Sequence, residues 1–529
     1  MDRKWAAGQT PGIEETRRRG GDRPRGTGHD GHLRQAVSAS GDSPASKRRG
    51  GSEARFHPLL RAVDEVVRGT HVQGRFGDVG PAFAATLGSS IEPFAAAMRE
   101  VDPTAHSQAA ARALADFARL TGECAGQAMQ SIAGLQAGGA GAGPGPSHDE
   151  LAGGIDDAFR AFSSSPEFDR TRRAAAAAVL DWLEGDSTAA AGLARALEPP
   201  PTLAPESFDV PRPPQTEPVL RDGNATLTAF PVAGETSASV LVVPGFTAGP
   251  RMLDLDPQRS TVRTLAAHGV DAWLLDWGRS DETDRHRTVA SQLARIDRAV
   301  DTARKAANGR RPALAGHFHG GLLALLYCLR HPGKAAALVT LSTPVRFASG
   351  DDAFAGWLRA CGGERLVDVL GNVPGPLVAA LVAASSPMRW CWGGFFNLLD
   401  GLDSAAAAAR IARFEHARRF PPAFPGETFR GLYRAFYRDD SFAADGAAVI
   451  DGHRYELSGL RTPLLNVVAR DDRIVPPAAS LPLAEWTGSA PESNREHPGG
   501  HYDLLTGHRA HAKLLPGIAA WVVEQARGS

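Results

Sequence analysis

The spacing of apolar and polar residues changes along this 529-residue chain, and the changes divide it into regions. Residues 1–55 contain few large apolar side chains and more Lys and Arg than Asp and Glu, which predicts a disordered basic tail. Apolar residues recur at helical spacing in 56–136 and again in 150–200, with a Gly-rich linker at 137–149 between them. Two helical regions are therefore expected before the rest of the chain.

Beyond residue 201, short apolar runs alternate with helical stretches, a pattern typical of a parallel α/β sheet. An insertion at 346–455 has helical patterns and many aromatic residues, and it predicts a helical lid over the carboxyl ends of the strands. The expected fold class is α/β, with a mostly parallel sheet in 201–529. The clearest expected strands are 237–245, 271–277, 312–316, 336–344 and 463–472.

Composition narrows the class of protein. A formal net charge of -1 gives no global argument for nucleic acid or an anionic membrane as partner. The four cysteines form no C-x-x-C pair, and the H-x-H spacing of His317 and His319 has no carboxylate or thiolate nearby, so neither a disulfide framework nor a metal site is expected. The N-terminus has no signal-peptide pattern and no apolar run is long enough for a membrane span. These features predict a cytoplasmic protein without a membrane span.

The segment "ALAGHFHGGLLALLYCLRHP" at 313–332 has the layout of a nucleophile elbow, in which a strand, a tight Gly-flanked turn and a helix follow one another. The central residue, where the G-x-S-x-G motif has its serine, is Phe318. When cysteine is allowed in place of serine, the motif also occurs as "GECAG" at 122–126, in a helical segment without a preceding strand, so Cys124 is expected to be a core residue. Cys328 lies too far into the helix to replace residue 318.

An acid and a histidine follow the elbow in the order that an α/β-hydrolase triad requires. The elbow and this order predict that the sheet in 201–529 is of the α/β-hydrolase type. Asp472 ends a predicted strand, and His501 lies in "EHPGGHYDLL" beyond a further short strand. In a triad the histidine takes the proton of the nucleophile and the carboxylate fixes its tautomer. Asp472 or its neighbour Asp471 also fits a turn cap, and His501 also fits a loop histidine, but their order and strand context favour the triad.

Six segments carry a family pattern: "LDLDPQRSTVRTLAAHGVDAWLLDWG" (253–278), the elbow "GHFHGG", "VTLSTPV" (339–345), "LVDVLGNVPG" (366–375), "LLNVVARDDRIVPP" (464–477) and "PGGHYDLLTG" (498–507). Together they resemble the catalytic subunit of class III polyhydroxyalkanoate synthases, over roughly residues 220–525 and including the lid. A piece of 150–200, "DDAFRAFSSSPEFDRTRRAAAAAVLDWL", faintly resembles the helical accessory subunit of those synthases.

The resemblance implies an acyltransferase that polymerises 3-hydroxyacyl-coenzyme A thioesters without a further cofactor. In the family, a cysteine at the centre of G-x-C-x-G-G attacks the thioester, forms an acyl-enzyme and expels coenzyme A. Carried over by position, His501 is the base, Asp472 orients it, and Phe318 stands where the cysteine is expected. The backbone N–H groups of His319 and of Phe246 are the expected oxyanion donors.

Because a phenyl ring cannot form a thioester, three functions stay open. The chain is an acyltransferase or hydrolase with an altered site, for example one in which His501 activates water. Alternatively, it is a catalytically silent homologue that binds acyl chains, polyester granules or an active synthase subunit, or an α/β-hydrolase of other specificity. The expected partners are acyl-coenzyme A or a polyester chain, with a synthase subunit or a second copy as further candidates and granule association as a candidate location.

Overall fold

A computed structural model describes the sheet, much of the insertion between its strands, and one helix that precedes them. The predicted tail at 1–55 and linker at 137–149 lie outside the described residues, as do the helical region 56–136 apart from Arg112 and most of 150–200. The described residues are Arg112, 166–185, 217–232, 234, 236, 238–348, 353–385, 405–489 and 493–527.

The strands of the described residues form one large sheet and one small one. They are β1 Pro218–Asp222, β2 Ala225–Phe230, β3 Ala238–Val243, β4 Val270–Asp276, β5 Ala313–His317, β6 Leu338–Leu341, β7 Ala447–Ile450, β8 His453–Glu456, β9 Leu464–Ala469 and β10 Asn494–His497. The large sheet has the order β1-β2-β4-β3-β5-β6-β9-β10. All of its pairings are parallel except β1 with β2 and β2 with β4. The predicted α/β fold with a mostly parallel sheet is confirmed.

The central strands follow directly from their apolar runs. Every residue of β3, β5, β6 and β9 is buried, as expected of parallel strands with helices on both faces of the sheet. The β1–β2 hairpin was not predicted, because β1 alternates between half-buried and exposed positions at the edge of the sheet. Its turn contains Gly223 at φ 60°, and the Asn224 amide donates hydrogen bonds to Asp281 and Asp284 in the loop after β4.

Helices cover both faces of the sheet and make up most of the described part of the insertion. The α-helices are α1 Pro166–Gly185, α2 Gly249–Leu253, α3 Thr261–Ala267, α4 Val289–Ala306, α5 His319–Arg330, α6 Ala353–Cys361, α7 Gly363–Leu370, α8 Gly375–Ser385, α9 Ala405–Arg419, α10 Gly426–Leu432, α11 Ser441–Asp445, α12 Pro477–Ser480, α13 Pro482–Trp486, α14 Asp503–Thr506 and α15 Leu515–Arg527. Short 3₁₀ helices span Glu282–His286 and Leu457–Gly459, and π-helical turns span Tyr433–Arg438 and Ala510–Leu514. Helix α5 packs against β5 and β6, and α15 packs against β3.

The insertion between β6 and β9 carries α6 to α11, and we call it the lid. The prediction for 346–455 was mostly helical, whereas the structure adds the antiparallel pair β7–β8 at its end. The connecting residues Asp451 and Gly452 have φ values of 50° and 75°. Two positive φ values and an Asp-Gly pair are typical of a type I′ hairpin turn, so the sequence carried a signal for this hairpin.

Helix α1 packs on the lid, against α6 and α7. Its buried side chains include Ala176, Leu180 and Leu183. Within the described part of the chain, none of the helices combines the length and apolar character needed to cross a bilayer.

Candidate active site

The turn between β5 and α5 has the conformation of a nucleophile elbow, and Phe318 occupies it. Phe318 is the single residue between strand and helix, with φ 52° and ψ -118°. This is a strained conformation for a residue with a side chain, and it aims residue 318 out of the carboxyl edge of the sheet. The Phe318 N–H donates a 3.0 Å hydrogen bond to the Leu341 carbonyl at the end of β6, which fixes the turn to the neighbouring strand.

Glycines around the turn permit close backbone approach. A Cβ on Gly316 would overlap the backbone of Gly320, and one on Gly320 would overlap the backbone of Val243 and Pro244. A Cβ on Gly321 would overlap the Thr343 hydroxyl. The G-x-x-x-G-G spacing of the segment therefore follows from packing of the start of α5 against the ends of β3 and β6.

Asp472 and His501, predicted as an acid–histidine pair, lie in contact. His501 Nδ1 is 2.7 Å from Asp472 Oδ2, and both residues are buried. Asp472 Oδ1 accepts hydrogen bonds of 2.9 Å from the backbone N–H groups of Ile474 and Val475. A carboxylate held in this way favours the tautomer of His501 with the proton on Nδ1, which leaves a lone pair on Nε2. Among the described residues, Nε2 has no hydrogen-bond partner.

The neighbouring carboxylate, Asp471, contacts the loop backbone and not the imidazole. Its Oδ2 accepts a 3.0 Å hydrogen bond from the Gly499 N–H, and its own N–H donates to the Gly499 carbonyl at 3.0 Å. On the other side of the turn, the Gly500 N–H donates to Asp503 Oδ2 at 2.6 Å. Asp471 thus binds the Gly-Gly turn that carries His501, and of the two aspartates it is Asp472 that contacts the imidazole.

The ring of Phe318 lies directly beside the imidazole of His501. The two ring centroids are 5.2 Å apart and the planes are nearly perpendicular, at 89°. Only 1% of Phe318 is exposed, so its ring fills the space next to the base rather than opening towards solvent. The residues expected to form nucleophile, base and acid therefore meet at one place, with a phenyl ring at the nucleophile position.

The two expected oxyanion residues lie at the same end of the sheet. Helix α5 begins at His319, and Phe246 follows β3 in the adjacent loop. A Cβ on Gly245 would lie 3.6 Å from His319 N, which shows how closely this loop approaches the first turn of α5. The N–H groups at a helix N-terminus are suited to developing negative charge on a substrate oxygen.

Two further histidines flank Phe318, and both are engaged with protein groups. His317 Nε2 lies 3.3 Å from the His501 carbonyl oxygen, and His319 Nε2 lies 2.7 Å from the Tyr437 hydroxyl in the lid. Burial lowers the pKa of His317 well below its usual value and lowers that of His319 to about 3, with the nearby His501 adding to both shifts. Both are therefore neutral near pH 7, and no metal-binding cluster of His, Cys, Asp or Glu occurs among the described residues.

The described cysteines do not offer a substitute for a nucleophile at residue 318. Cys328 is buried in α5, and Cys361 ends α6. Burial raises the pKa of each thiol to about 12, so neither is a thiolate near neutral pH. Cys124, in the second motif match, lies outside the described residues.

An aromatic cluster from the sheet loops and the lid encloses the turn, and the sequence patterns did not identify its lid members. The ring of Phe424 stacks on Phe246 with centroids 4.0 Å apart and meets the ring of His319 at 5.2 Å. Phe354 of α6 meets Phe318 at 5.9 Å, edge to face. The only signal in the sequence was the general abundance of aromatic residues in the insertion.

One protein family and several individual proteins are similar to this chain in sequence. Residues 238–508 match the family described as alpha/beta hydrolase fold. The poly(3-hydroxyalkanoate) polymerase subunit PhaC of Allochromatium vinosum is 33% identical over 54% of this chain and 81% of its own length. The corresponding subunit of Thiocystis violacea is 30% identical over the same shares, and that of Haloferax mediterranei is 27% identical over 58% of this chain and 64% of its own length.

Two lipases of known structure are also similar to the chain. A monoacylglycerol lipase from Paleococcus ferrophilus shares 18% sequence identity, covering 57% of this chain and 99% of the lipase, with a TM-score of 0.37. A monoglyceride lipase from Saccharomyces cerevisiae shares 12% identity, covering 60% and 96%, with a TM-score of 0.39.

Proposed function

The chain belongs to the poly(3-hydroxyalkanoate) polymerase family, on an α/β hydrolase fold, and from this premise we propose that it binds 3-hydroxyacyl-coenzyme A or polyester chains without forming the thioester on which polymerisation in the family depends. It is then a catalytically silent member of the family. Association with polyester granules follows from the same proposal, and co-sedimentation of the full chain with poly(3-hydroxybutyrate) particles measures it.

The observation that carries the proposal is the side chain at the elbow. Covalent catalysis needs an atom that can attack the thioester carbonyl, and the phenyl ring of Phe318 has none. The ring is also buried against His501, in the space that the carbonyl would enter. Loss of a nucleophile leaves only the smaller acceleration from binding and from the oxyanion donors.

The rest of the site supports an acyl ligand. Asp472 and His501 keep the geometry of a base with its orienting carboxylate. The aromatic side chains of Phe246, Phe354 and Phe424 supply an apolar lining of the kind that encloses acyl chains. The missing element is one nucleophilic atom.

Intact-mass spectrometry after incubation with 3-hydroxybutyryl-coenzyme A tests the proposal. We expect no acyl adduct on the parent chain, an adduct on Phe318→Cys, and none on Phe318→Cys combined with His501→Gln. Calorimetry should detect binding of the thioester to the parent chain. An adduct on the parent chain would show a nucleophile elsewhere, and failure of the parent chain to bind either thioester or polyester would exclude the binding function.

A second function, hydrolysis by water that His501 activates, is favoured by one observation. The Nε2 atom of His501 has no partner among the described residues, and a lone pair there is suited to general-base catalysis. Under this alternative, the parent chain releases coenzyme A repeatedly with no adduct, and His501→Gln abolishes the release. Equal release by the parent chain and His501→Gln would exclude it.

A further inference from the structure

Helix α1 precedes the sheet in the chain, yet it packs on the outer face of the lid. Its neighbours there are α6 and α7. Ala176, Leu180 and Leu183 are buried along one side of the helix, while Ala177 is exposed on the other. This pattern is typical of an amphipathic helix whose apolar side packs against the rest of the protein.

Charged side chains fix the position of this helix on the lid. Arg365 of α7 donates from Nε and Nη2 to the two carboxylate oxygens of Glu184, each at 2.7 Å, and from Nη2 to Asp181 at 3.1 Å. Two parallel bonds between a guanidinium and a carboxylate impose a geometry as well as an attraction. The pKa of Glu184 is lowered, first by its hydrogen bond with Arg365.

A second contact joins α1 to α6, the helix that precedes α7. The guanidinium of Arg172 sits 5.9 Å from the ring centroid of Trp357. A Cβ on Gly356 would lie 2.5 Å from Arg172 Nη1, so the glycine allows the arginine to approach the backbone of α6. Helix α1 therefore contacts both helices of this part of the lid.

Helix α6 connects this outer contact to the elbow. Residues 354 and 356 point to opposite sides of a helix, since each residue turns by about 100°. The side at Gly356 meets Arg172 of α1, and Phe354 on the other side meets Phe318 at 5.9 Å and Tyr437 at 6.2 Å between ring centroids. The same short helix is thus held from outside by α1 while it covers the candidate site from inside.

We propose that the outer face of α6 and α7 is a docking surface for α1, and that this docking holds α6 over the elbow. When α1 detaches, α6 moves away from Phe318 and the elbow becomes accessible to small solutes. Residues 186–217 separate α1 from β1 in the sequence, and the docking uses the contacts of α1 with α6 and α7. The inference goes beyond the proposed function and does not depend on acyl chemistry at the site.

A cysteine introduced at residue 318 reports on access to the elbow. In Phe318→Cys, the thiolate attacks the disulfide of dithiobis(nitrobenzoic acid), forms a mixed disulfide and releases thionitrobenzoate. Peptide mass spectrometry assigns the modification to residue 318 and separates it from the natural cysteines. Because this reagent is not a thioester, the rate is measurable even where the variant accepts no acyl group.

Adjacent alanines in α1 provide matched variants in this background. Ala176→Asp places a carboxylate in the buried contact, whereas Ala177→Asp places the same group on the exposed side. We expect Ala176→Asp to increase hydrogen exchange in 166–185 and to raise the modification rate of the introduced thiol about tenfold or more, since an unpaired buried carboxylate is strongly unfavourable. Ala177→Asp should change neither.

A charge exchange gives a second route to the same result. Arg365→Glu should raise the modification rate, and addition of Asp181→Lys and Glu184→Lys should return it towards the starting value, because the ion pairs are restored with opposite sign. Faster exchange in α1 with an unchanged modification rate at residue 318 would overturn the control of the elbow by α1. Unchanged exchange in α1 for both Ala176→Asp and Arg365→Glu would overturn the docking surface itself.

Discussion

The two sides of the candidate site differ in how many of the expected triad groups each carries. On the base side, two backbone N–H groups hold Asp472, which in turn holds His501. On the elbow side, the sharp turn is present but carries Phe318. The elbow has its sharp turn even with Phe318 at its centre, because glycine packing and the hydrogen bond from the Phe318 N–H to the Leu341 carbonyl hold the backbone.

The largest expected effect is on the rate at which a cysteine at the elbow is acylated when the base side is altered. In the Phe318→Cys background, Asp472→Asn should lower the rate of acylation by 3-hydroxybutyryl-coenzyme A by up to about 10⁴-fold, because an amide no longer selects the Nδ1–H tautomer of His501. Quenched time points with intact-mass detection measure the rate. Asp471→Asn is the matched control and should acylate at nearly the starting rate. Equal acylation by both variants would mean that the thiol reacts without help from the histidine.

The next prediction concerns the contribution of glycine packing to the stability of the elbow. Gly320→Ala should lower the free energy of unfolding by about 3 kcal/mol, because its Cβ would overlap the backbone of Val243 and Pro244, which cannot move aside as a flexible side chain would. Gly459→Ala is the control, since nothing lies within 4 Å of a Cβ there, and it should stay within about 0.5 kcal/mol. Urea unfolding compares the two, and equal stabilities would show that the turn can shift to accept a side chain.

The sequence predicted those parts of the molecule that depend on local pattern. Strands β3, β5 and β9 are short apolar runs between turn residues, and each lies where it was expected. The meeting of Asp472 and His501 also followed from chain order, because the ends of parallel strands share one edge of the sheet. These features need no knowledge of side-chain packing.

Other features depend on contacts between distant residues and could not be predicted. Two contacts join the lid to the sheet loops: the stacking of Phe424 on Phe246 and the hydrogen bond between Tyr437 and His319. No periodicity in the insertion marks Phe424 or Tyr437. The choice between Asp471 and Asp472 was also open, because it depends on how the loop after β9 bends. The β7–β8 hairpin is different, since its Asp-Gly signal was present in the sequence.

On the elbow side, the buried His319 makes the stability of the fold depend on pH. The pKa of His319 is lowered to about 3 in the folded chain, mainly by burial, so the unfolded chain takes up this proton first as the pH falls below about 6.5. Stability is then lost on acidification. Between pH 8 and pH 5, this histidine should lower the free energy of unfolding by about 2 kcal/mol.

The variant His319→Gln isolates this contribution, because other titrating groups are common to both proteins and a Gln amide can still bond to Tyr437. Urea unfolding at the two pH values should show a loss about 2 kcal/mol larger for the parent chain than for the variant. An identical pH dependence would mean that His319 takes up a proton in the folded chain as easily as in the unfolded one.

The smallest effect concerns the neighbouring carboxylates on the base side. Asp471→Ala removes the acceptor of the Gly499 N–H and should lower the free energy of unfolding by about 1 kcal/mol or less, because the bond is exposed to water and its partner can be solvated. In the Phe318→Cys background, the same change should slow acylation only a few-fold, since His501 keeps its bond to Asp472 while the turn that carries it loosens. Asp471→Asn retains an oxygen that can accept the Gly499 N–H and should restore most of the rate. If Asp471→Ala slowed acylation as strongly as Asp472→Asn, the two aspartates would have to act as one unit. The assignment of Asp471 to the turn and of Asp472 to the imidazole of His501 would then be wrong.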